Sequence, residues 1–133
     1  MIRLKNFELK TGVEILNAVG DEARVRILHI IYKTDEMCVS DLEMILDFTQ
    51  TKTSRHLTLL RNLRLVKAKK IDQWVYYSIN EAYLDVVNIL FSLFEKDPQL
   101  HKDLEEYRTL YSNNELAIRK LHSRQNKYKL PAL

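Results

Sequence analysis

The stretch Val39–Ile79 constrains this chain more than any other. It holds two short helical patterns separated by a tight turn, followed by two short strand patterns that carry lysines. Ser40 and Glu43 have the S-x-x-E spacing of a capping box, with Val39 and Met44 placed for a hydrophobic staple. Leu42, Ile45 and Leu46 give that first helix a core face, and Asp47 and Phe48 lead out of it. Thr49 suits the N-cap of a second helix, which starts at Gln50 and runs to about Leu63. Leu57, Leu60 and Leu63 anchor one side of it, with Leu59 at the margin. Gln50, Thr51, Lys52, Ser54, Arg55 and Thr58 stand opposite, where they can donate to phosphates or meet base edges. The free N–H groups and macrodipole of a helix start favour an anion at the same end.

Leu65–Lys70 alternates, with Val66 and Ala68 on one face and Lys67 and Lys69 on the other. Ile71-Asp72-Gln73 reads as a turn, and Trp74–Ile79, rich in aromatic and β-branched residues, as a second strand. Two strands alone are marginal in water, so this hairpin must pack on the helices, with its tip and lysines projecting as a wing. The aromatics fit a sheet-face role better than base stacking.

Charge is segregated over this frame. The net charge is only +3. Yet Phe48–Ile71 contains no Asp or Glu and holds seven of the 21 Lys and Arg: Lys52, Arg55, Arg61, Arg64, Lys67, Lys69 and Lys70. Residues 1–47 sum to −3, and 81–108 to −4. A focused positive field of this kind suits a polyanion.

The flanks are expected to build and pair this module. Residues 3–19 predict an amphipathic helix on Leu4, Phe7, Leu9, Val13, Leu16 and Val19, stopped at Gly20. Asp21 caps a second helix buried on Ala23, Ile27, Ile30 and Ile31, widened by Val25 and Leu28. His29 within it is read as a core or interface histidine rather than a ligand. Met37-Cys38-Val39 suggests an edge strand. Asn80 caps a helix over 81–94 that is apolar around much of its circumference, as expected when a second surface covers it. Asp97-Pro98 restarts a helix carrying Leu100, Leu104, Tyr107, Leu110 and Tyr111. Asn113-Asn114 interrupts it before Leu116, Ile118 and Leu121. From Arg124 to Leu133 the chain is basic and aperiodic, and fraying is expected. Residues 1–96 thus form one unit, with 97–133 a helical extension and basic tail.

With no apolar run of the ~18 residues a membrane span needs, and no signal segment, the expected location is the cytoplasm. No nucleophile–base pair or Gly-rich phosphate loop supports an enzyme.

Helix, turn, helix and basic hairpin is the winged helix-turn-helix order. VGDEARVRIL, CVSDLEMIL, TQTKTSRHLTLLRNLRLV and WVYYSI resemble the ArsR family of small bacterial transcriptional repressors over residues 16–94. Q-x-x-x-S-R-H-L at Gln50–Leu57, followed by L-x-x-L-R at Leu57–Arg61, is the most specific part. The resemblance implies a mainly α fold with a small β-hairpin, dimeric through its N-terminal and C-terminal helices. It implies duplex DNA as partner, read by the Gln50–Leu63 helix in the major groove. By matching positions, Gln50, Thr51, Ser54 and Arg55 are the recognition contacts, with Lys52 beside them and Lys69, Lys70 and Gln73 on the wing. His56 matches the family's histidine, with a packing role equally open. The alternative reading is a winged-helix interaction module for an acidic protein partner.

Two departures stand out. Arg64 occupies a position where the family often has Gly, and Asp72-Gln73 replaces a Gly-bearing wing turn. Members that sense arsenic resemble this chain around Cys38 but carry a second cysteine where Ser40 stands, and a soft-metal site needs more sulfur than one thiol. The family's C-terminal metal site is lacking too: Val87 stands two positions after Asp85, where a His is expected. Asp97, His101 and Glu105 share one helical face, a weak zinc candidate beside the likewise weak Cys38. No cofactor is expected, and the effector is not legible.

Overall fold

The structure, a computed structural model, describes residues 7–128, and the side chains of residues 7–124. Its first helix, α1 (Leu9–Val19), begins later than periodicity predicts; residues 3–6, Leu4 among them, lie outside the described residues. The predicted face also needs correcting. Ile15 and Ala18 are buried, while Leu9, Val13 and Leu16 stand 83%, 46% and 69% exposed. α1 packs along one side against α2 (Glu22–Thr34), and the Leu9–Val13–Leu16 stripe is left without cover among the described residues. Gly20 ends α1 at φ −83°, so it is not used for left-handed backbone.

The second helix, α2, is the axis of the core. Asp21 caps it, Oδ1 accepting the Arg24 N–H at 3.1 Å. Ile27, Leu28, Ile30 and Ile31 are fully buried, each contributing roughly 1.5–3 kcal/mol by leaving water. Strand β1 (Met37–Cys38) then joins a three-stranded antiparallel sheet of order β1-β3-β2, with β2 at Val66–Ile71 and β3 at Trp74–Ile79.

Helix α3 (Val39–Leu46) winds directly out of β1, and here the predicted capping box is not formed. Cys38, held extended by pairing with Tyr76, is the N-cap and makes no side-chain capping bond. Ser40 is therefore inside the first turn, its Oγ 3.4 Å from Cys38 Sγ. The staple is lost with it, since Val39 is already helical and Met44 is 45% exposed. Leu42, Ile45 and Leu46 are buried as expected. Asp47 leaves α3 in the left-handed region, and the Phe48 N–H bonds back to Glu43 O at 3.2 Å.

Thr49 caps α4 (Gln50–Asn62), Oγ1 accepting the Lys52 N–H at 3.2 Å. At its far end Arg64 sits at φ 64°. Its N–H reaches Arg61 O at 2.9 Å and the Leu65 N–H reaches Leu60 O at 3.0 Å, which is a Schellman motif with Arg at the glycine position. The Asn80 side chain ties this turn to the start of the next segment by donating to Arg64 O at 2.9 Å. Asn80 then caps a 3-10 turn (Glu81–Tyr83) that opens α5 (Leu84–Ser92).

The last two helices return to the same core. Asp97 and Pro98 start α6 (Pro98–Ser112) as expected. A bidentate pair, Arg26 Nε to Asp103 Oδ2 at 2.8 Å and Nη2 to Oδ1 at 2.9 Å, fastens α6 to α2. Asn114, at φ 61°, turns the chain into α7 (Ala117–Tyr128). The buried Asp41 carboxylate of α3 accepts both the Ala117 and Ile118 N–H groups at 2.9 Å. Leu116, Ile118 and Leu121 are buried against β1 and α3. The helix runs past Arg124, where fraying was expected, to Tyr128; residues 129–133 lie outside the described residues.

Candidate nucleic-acid interface

On α4, burial divides the residues by face. Thr53, His56, Leu57 and Leu60 are buried, and Thr53 Oγ1 bonds Thr49 O at 2.8 Å. Gln50, Thr51, Arg55 and Thr58 are exposed, and Ser54 is half-buried between them. Four of the predicted contact residues therefore share one accessible face at the capped start of the helix. Lys52 is half-buried, its ammonium 4.1 Å from the centre of the Phe48 ring. Arg26 lies 5.0 Å from the same ring, so Phe48, in the turn between the two helices, is flanked by two cations.

His56 departs from its neighbours. It is 7% exposed, and Nδ1 lies 3.3 Å from Arg24 Nη1. Arginine can only donate, so Nδ1 accepts and the imidazole is neutral. Burial pushes its pKa down in agreement. As a predicted contact residue His56 is corrected: it faces inward and supports the helix. Arg24, which sequence reasoning passed over, does most of this bracing. Its Nε donates to Ala18 O at 2.7 Å and its Nη2 to Asn17 O at 3.3 Å, joining the end of α1 to α2 and α4. The regular spacing of α2 conceals it, because only the fold brings its guanidinium to those carbonyls.

The wing pairs in register from Val66↔Ile79 to Ile71↔Trp74, leaving Asp72-Gln73 as a two-residue turn with Asp72 at φ 56°. Val66 and Ile79 are buried and Tyr76 is 3% exposed, so Tyr76 serves the sheet, whereas Trp74 beside the wing turn is exposed. Lys69, Lys70 and Gln73 are exposed. Lys67 is engaged with Glu81, and Asp72 with Arg124 of α7.

The remaining candidates do not converge. Cys38 is 1% exposed, and burial pushes its thiol up to about 11, away from the thiolate that binds metal or reacts. Asp97 caps α6, His101 Nε2 meets Glu95 O at 2.7 Å, and Glu105 pairs with Arg108. Among the described residues no group of three or more His, Cys, Asp or Glu could hold a metal. His29 is 6% exposed and edge-on to Phe91 at 5.3 Å; burial pushes its pKa down to about 4. Nor is any described helix long and apolar enough to cross a membrane.

Two helices joined by a short turn, an exposed polar face on the second, and a three-stranded wing define a winged helix-turn-helix protein. The pattern of the bacterial regulatory protein arsR family matches residues 21–68. The cadmium resistance transcriptional regulatory protein CadC of Listeria innocua is 32% identical over 88 residues, 66% of this chain and 72% of that protein. The arsenical resistance operon repressor of Escherichia coli is 37% identical over 68 residues, 51% of this chain and 58% of that one. Among solved structures, HlyU of Vibrio vulnificus superposes with a TM-score of 0.57 at 32% identity, covering 64% of this chain and 88% of that one. The chain belongs to the arsR family, and it is a DNA-binding transcriptional regulator.

Proposed function

We propose that this chain represses transcription as a homodimer, with α4 of each copy in the major groove of duplex DNA. Gln50, Thr51, Ser54 and Arg55 read base edges, Lys52 supplies charge beside them, and Lys69, Lys70 and Gln73 hold flanking backbone. The observation that carries this reading is the exposed polar face of α4 at its Thr49-capped start, inside a run free of carboxylates. The exposed stripes Leu9, Val13 and Leu16 on α1, and Leu84 and Ile89 on α5 with Leu93 beyond it, support pairing of two copies through these helices. A homodimeric winged helix-turn-helix domain from Mycobacterium bovis shares the fold. On this reading residues 97–128 extend the winged body.

Paired in this way, two recognition helices reach half-sites roughly 34–36 Å apart. Footprinting on the gene's own upstream DNA, with sedimentation to count copies, is expected to give two protected major-groove tracts one turn apart under a dimer. A monomer with a single tract, or a stable complex with an acidic protein and no duplex binding, contradicts the proposal.

A further inference from the structure

The carboxylate-free run that carries α4 and β2 ends at Asp72, in the turn of the wing. Duplex DNA presents one negative charge per ~1.7 Å of axis, so a bare carboxylate at a wing tip opposes its backbone. α7 brings a cation to that position. Arg124 Nη1 pairs with Asp72 Oδ2, across 52 residues of sequence. The helix is aimed there by its other end: Asp41 holds the Ala117 and Ile118 N–H groups, and Ile118 and Leu121 are buried. At 1.5 Å per residue, Ala117 to Arg124 spans roughly 10 Å, from the edge strand towards the wing turn.

The pair is solvent-accessible, with Arg124 59% and Asp72 50% exposed, and such pairs add little to stability. Its chief consequence is for the field at the wing tip. The segment that supplies it, Leu116–Leu133, contains no Asp or Glu and five Lys and Arg, the second such segment in the chain. It lies outside the stretch matched by the family pattern.

We propose that α7 is part of the DNA-binding surface. Arg124 neutralises Asp72 and keeps the wing tip positive against the phosphates flanking the sequence read by α4. This rests on the reading of α4 and the wing as the DNA-binding face.

The test is duplex binding by the full chain across a salt series, using the gene's own upstream DNA and a random duplex of equal length. Arg124→Ala is expected to weaken both by roughly 3–10-fold and to flatten the dependence of log K on log salt by about one phosphate's worth. Asp72→Asn alone is expected to tighten both. Adding Asp72→Asn to Arg124→Ala should restore most of the lost affinity, because no carboxylate is then left to cover. Thermal midpoints of the variants should stay near that of the parent, separating a field effect from lost folding. Parental affinity in Arg124→Ala, or a double variant as weak as Arg124→Ala, overturns the inference and leaves the DNA-binding reading intact. Absence of duplex binding by the unmodified chain overturns both.

Discussion

The reading helix α4 and the closing helices α6 and α7 are held by opposite means. α4 is fixed by nearby signals and apolar anchors: the Thr49 cap, the Schellman turn at Arg64, and buried Leu57 and Leu60. The closing helices also bury leucines, but their orientation rests on two buried carboxylates. Asp103 grips Arg26, and Asp41 grips the start of α7, each more than 70 residues away in sequence. The start and end of the reading helix are thus set by local rules, with Arg24 bracing its inner side through His56. The two closing helices are tied by long-range carboxylate contacts, whose removal strands buried partners.

The largest break in this comparison is expected from Asp103→Ala. It leaves Arg26 half-buried without its bidentate partner and should cost about 3 kcal/mol in urea denaturation. A loss below ~0.5 kcal/mol would show that apolar contacts alone hold α6. Asp41→Ala removes two bonds to an ionised acceptor and should cost about 2 kcal/mol, with amide exchange at Ala117 and Ile118 rising more than at Leu57.

A comparable effect comes with pH. Burial holds His29 neutral down to about pH 4, whereas an unfolded chain protonates it near its ordinary 6.5. Stability is therefore lost as pH falls from about 6.5 towards 4, on the order of 2–3 kcal/mol, and His29→Leu should remove that slope. The smallest change sharpens the account of α4. Arg64→Gly relieves left-handed backbone and should stabilise by about 0.5–1 kcal/mol in the same urea assay. Destabilisation would mean that the Arg64 side chain contributes more than its strain costs.

The legible parts of this molecule are those whose signals are local. The Asp21, Thr49 and Asn80 caps, the hairpin and the two faces of α4 were readable because period and capping chemistry act within a few residues. The S-x-x-E at Ser40 misled because strand pairing at Cys38 starts the helix early, which is a tertiary override of a local preference. Asp41, Asp103 and Arg24 were illegible for a related reason: a charged residue on an amphipathic helix looks solvated until its partner arrives from elsewhere. The exposed stripe of α1 shows the converse, since periodicity marks apolar positions without saying whether the chain itself covers them. Within the candidate site, His56 takes the packing role that its position left open, with Nδ1 3.3 Å from Arg24 Nη1.

In the proposed division of labour, α4 reads sequence while the wing supplies charge. The direct measurement compares Arg55→Ala and Lys70→Ala on upstream and random duplexes over a range of salt. Arg55→Ala is expected to lower affinity for the upstream site by ~1–3 kcal/mol while leaving random duplex nearly unchanged, and Lys70→Ala to weaken both alike with a shallower salt slope. Equal losses on both duplexes for Arg55→Ala, or no preference of the unmodified chain for its upstream DNA, would contradict the account.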